Sequence, residues 1–543
     1  MAGLDTSEKK APPTPDGAQS NLGYTTDELA LSPDGLPLWP QPVRVDQLDP
    51  LNWSKFQKRV ILAIVMALYF MFTYITTTTV PSFPELQETY DATLEQINWT
   101  VAIPALGLSL GPLIWASPAD IIGRRAIVIL GTTIALVATI GAALAPTLDG
   151  YMAARFFQGF GVSPAANVGL AIINDIFFEH ERGQKLGLWV LAIDQGLLVG
   201  PLIGGFINLV SHQWIQWLSA ILFGVILVAE IFFLPETLYP RHLMLAQQQR
   251  RHASPSTTIS HADDEKSVGA VEAGEESLAP DHVEVTPRRT KDLSFINATP
   301  LPGMTHPKLW DTMVRFIKTF KYAVVSISII SYCFGWYWWV LSVVTLVPVA
   351  YPDYKPHIQG LLFLGLIIGT LISEVLFSGS LSDWIVVKLS KANGNKKTPE
   401  MRLWLAYPAA LLTGVGLVLW GISVDRGYHW IVGQVAFALF GAGIQMGNTA
   451  VCSYVVDAYP MQSMATMTFY AVMLNMSAFV DPFFIIPWVD NVGFTWTLAG
   501  HAIITVVFCI PILAMVHRFG ASMRKWAGPP TWVNPEFADS IMH

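Results

Sequence analysis

The sequence contains few charged residues. Asp, Glu, Lys and Arg make up 13% of its 543 residues, about half of the roughly 25% that is typical of soluble domains. Hydrophobic residues make up 52%, and the mean hydropathy is +0.45. This composition excludes an ordinary soluble globular protein and indicates a chain that crosses a membrane many times.

Cysteine is scarce, and several catalytic patterns are missing. The three cysteines all fall within apolar segments, which does not indicate a disulfide framework. The chain has no His-rich metal cluster, no Walker-type Gly-Lys-Ser/Thr loop and no Cys–His nucleophile arrangement. We therefore expect neither an enzyme nor an ATP-driven pump, and no metal or cofactor. The first 55 residues lack the apolar core of a signal peptide.

Long apolar runs, in contrast, are abundant. Twelve of them are long enough to cross a bilayer core of about 30 Å, which predicts an all-α polytopic membrane protein. Of the 32 Lys and Arg residues, 29 fall in the termini and in alternate loops. The positive-inside rule therefore puts both termini in the cytosol. The predicted helices 1 to 12 lie at 58–80, 94–117, 125–146, 150–174, 186–210, 214–235, 322–350, 358–378, 403–423, 430–454, 465–487 and 495–517.

A long polar stretch divides these helices into two sets of six. Residues 246–300 are rich in Glu, Asp, Ser, His and Pro without periodicity, so we expect them to be disordered. Two similar sets of helices predict a secondary transporter with its site between the halves, near the midplane. An unrelated twelve-helix receptor or channel is the alternative. The predicted organisation is a disordered cytosolic tail (1–57), a first bundle (58–235), a cytosolic linker (236–321), a second bundle (322–517) and a cytosolic tail (518–543).

Glycine and charge motifs stand at corresponding places in the two halves. The chain reads Asp120-Ile-Ile-Gly-Arg124-Arg125 after helix 2 and Gly-Ser-Leu-Ser-Asp383 after helix 8. Helix 4 carries Arg155-Phe-Phe-Gln-Gly. Helix 5 holds a glycine-rich run that would disrupt a soluble helix but permits bending and close packing in a membrane. Its members are Gly196, Gly200, Pro201, Gly204 and Gly205.

Together these motifs resemble those of the major facilitator superfamily, and the resemblance covers 58–517. Shorter pieces, such as Asp49-Pro-Leu-Asn-Trp and Pro235-Glu-Thr, resemble the fungal twelve-span drug:proton antiporters. The resemblance implies the two-bundle major facilitator fold and an antiporter motif in helix 5. It also implies a conformational latch formed by Asp120, Arg124, Arg125 and Asp383.

Ionisable residues inside predicted helices are costly and therefore indicate function. Proton coupling needs a group whose charge responds to its changing exposure. Asp194 is the first candidate, because it lies about 15 Å from the cytosolic end of helix 5 and so near the midplane. The alternative is a structural aspartate bonded to a backbone or serine. The other candidates for proton coupling or charge relay are Arg155, Asp481, Glu230 and Glu374.

Depth in the membrane predicts how these other residues are used. Arg155 and Asp481 lie at matching depths, about 8–9 Å from the outer ends of helices 4 and 11, which predicts an ion pair across the halves. A structural ion pair is the alternative reading of Arg155. Glu230 and Glu374 are shallow enough for their side chains to snorkel to the cytosolic surface.

Helix 7 carries six aromatic residues within eight positions. Aromatic faces bind flat apolar molecules and cations. Because six such residues cover the whole helix circumference, we expect two or three to face a cavity and others to face lipid. For the polar candidates, helix–helix hydrogen bonding is the alternative. The substrate-cavity candidates are Trp336, Tyr337, Trp339, Tyr332, Gln445, Asn448 and Asn167.

The predicted function is export of small amphipathic organic compounds, such as drugs, toxins or secondary metabolites, by proton antiport with alternating access. The alternative is a proton-coupled importer of a small nutrient such as a polyamine or carboxylate. By resemblance the helix 5 motif favours export, whereas the absence of an acid from helix 1 weakens that inference. Expected partners are a small-molecule substrate, protons and the lipid bilayer, without nucleic acid, and we expect a monomer. The plasma membrane is the expected location and the vacuolar membrane the alternative.

Overall fold

The computed structural model describes residues 40–43, 46, 48–239, 241, 244–245, 308–393, 398–459 and 462–528. Regular structure in this part of the chain is helical, with no strand. Eleven helical runs are long and apolar enough to span a membrane, and the helix Ser463–Val480 completes the set of twelve as helix 11. Helices 1 to 10 and 12 lie within Lys55–Tyr90, Leu94–Ile122, Arg124–Leu144, Leu148–Ile176, Gly187–Ile207, His212–Phe233, Ala323–Ala350, Pro356–Phe377, Pro399–Asp425, Trp430–Ala458 and Ile485–Ala527.

The packing pattern of the first six helices recurs in the second six. Helix 2 packs on helix 4, and helix 3 on helices 4 and 6; correspondingly, helix 8 packs on helix 10, and helix 9 on helices 10 and 12. Two further contacts join the halves, helix 2 with helix 11 and helix 5 with the start of helix 8. These two contacts are themselves equivalent under the repeat, so the interface between the bundles has two matching sides.

Local sequence determines where the helices start and bend. Helix 2 begins with a capping box, in which the side chains of Thr93 and Gln96 each accept from the other's backbone N–H. Helix 4 is interrupted at Ser163, before Pro164, which has no N–H to donate. Gly493 has a φ of 80° and divides the run Ile485–Ala527, a conformation that glycine adopts readily. Helix 12 of the membrane domain therefore begins close to its predicted start at 495.

The end of the N-terminal segment is ordered, which corrects the prediction of a disordered tail over 1–57. Asp49 is fully buried, caps the short helix Pro50–Asn52 and forms an ion pair with Arg241 at 2.9 Å. The Tyr239 hydroxyl donates to Asp46 at 2.5 Å, and burial together with this carboxylate raises the pKa of Tyr239. Residues 1–39 and the predicted disorder at 246–300 lie outside the described residues.

The linker contains a helix, Asp311–Thr319, that sequence patterning did not indicate. We call it the linker helix. It packs against helices 2 and 11, one from each bundle. Its Thr312 lies 2.7 Å from Ser117, hydroxyl to hydroxyl, and its Phe316 ring lies 5.1 Å from the ring of Phe469. The linker helix is therefore part of the packed structure on the side predicted to face the cytosol.

Candidate functional site

A central cavity lies between the bundles, enclosed by helices 1, 2, 5, 7 and 11. Its lining is mostly apolar, with hydroxyl, phenol, indole and amide groups and no charged side chain. Such a surface suits an apolar molecule that offers a few hydrogen-bonding groups. The lining residues are Thr73, Thr76, Val101, Ala105, Leu197, Tyr337, Trp338, Val340, Leu341, Leu474, Asn475 and Ala478.

Asp194 lies beside this cavity and joins the two halves. It is 4% exposed, and its two oxygens accept from different helices of the second bundle. Tyr337 Oη on helix 7 donates to Oδ1 at 3.3 Å, and Asn448 Nδ2 on helix 10 donates to Oδ2 at 3.0 Å. The alternative of a backbone- or serine-bonded aspartate does not describe this geometry. A buried carboxylate here depends on donors from the opposite bundle, so relative movement of the bundles changes its surroundings.

Further side chains hold the donors to Asp194 in place. The side-chain oxygen of Asn448 accepts from Tyr470 Oη at 2.6 Å and from Cys452 Sγ at 3.3 Å. Next to Asp194, Gln195 Nε2 donates to Thr370 Oγ1 of helix 8 at 2.9 Å. Sequence reasoning missed Tyr470, Gln195 and Thr370, since nothing in local spacing shows which polar residues of distant helices meet.

Glu374 lies on a π-helical turn of helix 8, Glu374–Leu381, next to helix 5. It accepts from Gln445 Nε2 at 2.8 Å and from Thr449 Oγ1 at 3.4 Å. A Cβ added at Gly187 of helix 5 would lie 3.4 Å from its Oε1. Glu374 is partly exposed and lies at the interface between the bundles, close to the cytosolic start of helix 5.

Glu230, in contrast, does not reach the cytosolic surface. It is fully buried, and it accepts from Thr132 Oγ1 of helix 3 at 2.9 Å. Its position on helix 6 puts it inside the first bundle, away from the central cavity. The rotation of helix 6 about its own axis explains this position, because the Glu230 side chain projects from the face that packs against helix 3.

Only one of the four aromatic cavity candidates lines the central cavity. Tyr337 does so, together with Trp338. Trp336 instead donates to Thr413 of helix 9 at 2.9 Å, and Trp339 stacks on His501 of helix 12 with ring centroids 3.8 Å apart. Tyr332 is buried and donates to the Ile444 carbonyl at 3.4 Å.

The reason for this distribution is a π-helical turn, Cys333–Tyr337, within helix 7. A π turn adds a residue to the helical turn and rotates the faces that follow it. Four aromatic residues are thereby buried, while Phe334 and Trp338 are partly exposed.

Arg155 does not form the predicted ion pair with Asp481. Its guanidinium donates to Gln158 Oε1 at 2.8 Å and to the backbone carbonyls of Ile75 at 2.5 Å and Thr100 at 3.3 Å. These partners lie in helices 1, 2 and 4, so the charge is satisfied within the first bundle. Carbonyl dipoles rather than a carboxylate stabilise it.

Asp481 lies at the outer end of helix 11 and is fully buried. Its Oδ1 accepts from Ser342 Oγ of helix 7, while its Oδ2 has no hydrogen-bond partner among the described residues. The next residue, Pro482, accepts from Asn98 Nδ2 of helix 2 at 2.9 Å. Asp481 thus sits beside a contact between the bundles on the outer side, but its own bond stays within the second bundle.

The glycines of helix 5 serve two contacts. Gly196, Gly200 and Gly204 face helix 1 so closely that an added Cβ would overlap its backbone or threonine side chains. The helices are also bonded there, since Thr77 Oγ1 donates to the Leu197 carbonyl at 2.8 Å. Gly205 faces the other way, and its Cβ would lie 2.5 Å from the Pro356 carbonyl oxygen at the start of helix 8.

Pro201 takes part in the same outer contact between the halves. A Cβ added at Gly360 of helix 8 would lie 2.9 Å from the Pro201 carbonyl oxygen. The backbones of helices 5 and 8 therefore meet directly on the outer side, at a contact that has to open if the cavity is to face outward.

The Gly123-Arg124-Arg125 turn is held by acidic residues of the first bundle and by Glu236, at the start of the linker. Gly123 has a φ of 115°, which other residues rarely adopt. Arg124 forms an ion pair with Asp175 and lies 3.8 Å from Asp120. The side chain of Glu236 accepts from the backbone N–H groups of Arg124 at 3.0 Å and Arg125 at 3.2 Å.

Two of the predicted latch residues, Asp120 and Arg124, share a cavity with the second bundle. Asp120, Arg124 and Asn167 line a cytosolic cavity together with Arg315 and Met464. Asn167 also donates to the Pro112 carbonyl at 2.8 Å, so it bonds helix to helix and does not line the central cavity. Arg125 donates to the Ile231 carbonyl at 2.8 Å, within the first bundle. The side chain of Asp383 lies outside the described residues.

Substituting Arg124 by glutamine is expected to lower the free energy of unfolding by about 1–3 kcal/mol, because hydrogen bonds to a mostly buried charge are lost. Thermal unfolding of the purified protein measures this change. Lys391→Gln removes an exposed charge from the same side and serves as control. Equal melting temperatures for the two variants would contradict the assigned role.

No group of three or more His, Cys, Asp or Glu side chains in the described part of the chain is arranged to hold a metal ion.

Comparisons with known proteins agree with this architecture. The sequence profile of the Major Facilitator Superfamily matches residues 62–480. A probable efflux pump, mfs2, of Aspergillus flavus is 27% identical over 446 residues, covering 82% of this chain and 98% of the relative. The MFS-type efflux pump MFS2 of Trichophyton rubrum is 27% identical over 483 residues, covering 88% and 75% respectively.

Among solved structures, the xylose transporter XylE of E. coli in a partially occluded inward-open conformation superposes with a TM-score of 0.58. The superposition covers 86% of this chain and 98% of the transporter, at 14% sequence identity. The likeness therefore concerns the fold alone. The profile match spans most of the chain and both bundles. The chain therefore belongs to the major facilitator superfamily of multi-pass membrane transporters.

Proposed function

We propose that this transporter exports small amphipathic organic compounds in exchange for protons, with Asp194 as the coupling acid. One observation carries the proposal: a buried carboxylate of the first bundle accepts its hydrogen bonds from Tyr337 and Asn448 of the second. When the bundles separate, water replaces those donors and the proton affinity of the carboxylate changes. Proton binding is thereby linked to the movement that exposes the cavity.

The lining of the central cavity supports the substrate class. Tyr337 and Trp338 offer aromatic faces, while Thr73, Thr76 and Asn475 offer hydrogen-bonding groups. A carboxylate substrate would need a cation, but Arg155 is committed to carbonyls and Gln158. The cavity thus favours a neutral or cationic amphipathic compound over an anionic nutrient.

The names of related proteins bear on the direction of transport. Relatives from Aspergillus flavus and Trichophyton rubrum carry the name efflux pump, which favours export. The fold itself leaves direction open, since a proton:xylose symporter shares it. A polyamine importer is the second candidate, because Asp194 beside the cavity offers a carboxylate to a polycation.

The test uses the purified chain in sealed vesicles with an imposed pH difference. Vesicles are loaded or bathed with a panel of amphipathic dyes and polyamines, and movement is followed in both directions. Proton antiport predicts that a compound accumulates in the compartment that is more acidic. Accumulation of a substrate together with protons, on the more alkaline side, would instead establish the importer.

Asp481→Asn is expected to leave the accumulation ratio unchanged, because Asp481 bonds to Ser342 within its own bundle. The same vesicle assay measures it. An amide at the unpartnered Oδ2 position leaves a buried donor unsatisfied, which costs about 1–3 kcal/mol of stability, so the assay is normalised to folded protein. Loss of accumulation in this variant would transfer the coupling role from Asp194 to Asp481.

A further inference from the structure

The linker helix exposes a continuous apolar face. Trp310, Met313, Val314 and Ile317 follow a spacing that places them on one side of a helix. Trp310 is 70% and Ile317 63% exposed. These values match those of outward-facing residues on the membrane helices, such as Val225 at 63% on helix 6. A face of this kind is not typical of a helix that lies in water.

The opposite side of the same helix is occupied by protein. Thr312 contacts Ser117 of helix 2, and Phe316 packs on Phe469 of helix 11. Thr319 is buried and donates to the Arg315 carbonyl at 2.8 Å. The orientation of the helix is thus set by packing, and the apolar face points away from both bundles.

The chain keeps this helix close to the bilayer. The linker helix ends at Thr319, and the first helical segment of the second bundle begins at Ala323. Four residues span at most about 13 Å even when extended. The polar layer of a bilayer is roughly 5–7 Å thick on each side. The helix therefore lies at the level of the lipid headgroups or immediately next to them.

The charge of the segment complements an anionic surface. Residues 308–321 contain four cations, Lys308, Arg315, Lys318 and Lys321, and one carboxylate, Asp311. Lys318 and Lys321 are exposed, and neither forms an ion pair with a carboxylate among the described residues. Basic residues beside an apolar helical face are the combination that binds anionic membrane surfaces.

We infer that the linker helix docks on anionic phospholipids of the cytosolic leaflet. The apolar face enters the boundary of the acyl chains, and Lys318 and Lys321 contact the headgroups. Because Thr312 and Phe316 touch helices 2 and 11, the docked helix ties both bundles to the membrane surface at the cytosolic cavity. This inference does not depend on the substrate or on the direction of transport.

The test places a spin label at residue 317, through Ile317→Cys, in the full-length chain. The three native cysteines are buried, so the label is selective. The labelled protein is reconstituted in phosphatidylcholine alone or mixed with phosphatidylserine. Collisions with oxygen report contact with lipid, and collisions with a water-soluble nickel chelate report contact with water. We expect high oxygen and low nickel accessibility in the mixed vesicles, while a label at exposed Lys391 stays accessible to nickel.

Charge reversal tests the role of the lysines in the same labelled protein. Lys318→Glu with Lys321→Glu is expected to abolish the dependence on phosphatidylserine, whereas Lys525→Glu, at another exposed cytosolic lysine, is expected to preserve it. Nickel accessibility in every lipid would overturn the inference, because the face would then lie in water. Protection from both reagents would also overturn the inference, because residues 246–300 or a second copy of the chain would then cover the apolar face. Identical immersion with and without phosphatidylserine would also overturn it.

Discussion

Replacing Asp194 with asparagine is expected to abolish proton-driven accumulation while the folded protein stays in the membrane. The amide has nearly the same size as the carboxylate. Its oxygen can still accept from Asn448 or Tyr337, which donate to Asp194 in the native protein. It cannot take up or release a proton. With one pH unit imposed, exchange of one proton for one neutral molecule supports about a tenfold concentration ratio, equal to about 1.4 kcal/mol. The variant is expected to reach a ratio of about one.

Vesicle transport with a fluorescent substrate measures this ratio, and exchange without a gradient tests whether the pathway still works. Asp91→Asn is the matched control. Asp91 is exposed, lies outside the cavity and has a φ of 49°, a conformation that asparagine also adopts. If Asp194→Asn sustained the full gradient-dependent accumulation, Asp194 would have no part in coupling.

Adding a methyl group to the glycine run of helix 5 is expected to have two different effects at neighbouring positions. At Gly204 the new Cβ would overlap the Thr78 carbonyl of helix 1, within the first bundle. Overpacking of this kind costs about 1–3 kcal/mol, so Gly204→Ala is expected to lower the yield and melting temperature of folded protein. Gly224→Ala on helix 6 is the control, since nothing lies within 4 Å of that Cβ.

At Gly205 the same methyl group acts between the bundles. Its Cβ would lie 2.5 Å from the Pro356 carbonyl oxygen, and the two halves would be held apart on the outer side. We expect Gly205→Ala to fold normally but to expose the central cavity outward. A cysteine at Ala478, which lines that cavity, should react severalfold faster with an impermeant thiol reagent added outside. Unchanged reactivity, or a loss of folded protein equal to that of Gly204→Ala, would contradict the assignment of Gly205 to the outer contact.

Sequence reasoning was most successful where membrane physics leaves few choices. A bilayer accepts spans of about 20 apolar residues, so hydropathy alone located the starts of the helices within a few residues. Helix 11 ends earlier, at Val480, and helix 12 later, at Ala527, than predicted. The break at Gly493 and the capping box at Thr93 are also local, and both lie close to predicted boundaries. The linker helix escaped prediction because it is only nine residues long, too short to stand out as a membrane span, and it follows closely on the polar stretch 246–300.

Predictions that paired residues by depth were less reliable. Arg155 and Asp481 have matching depths, yet they point to different neighbours, because each helix is rotated by its own packing. The same holds for Glu230, whose depth permits snorkelling but whose face is directed at Thr132. The π turn at Cys333–Tyr337 rotated the aromatic residues of helix 7 in a way that no α-helical spacing foretells.

The amino-acid sequence by itself determined the number of helices, their division into two halves, and the presence of acids and an arginine inside the membrane. These properties depend on local composition and on the cost of charge in lipid. Only the tertiary structure decided which groups meet. Asp194 and Asn448 are 254 residues apart, and their contact follows from how two bundles pack against each other, a property of side-chain shape summed over the whole interface.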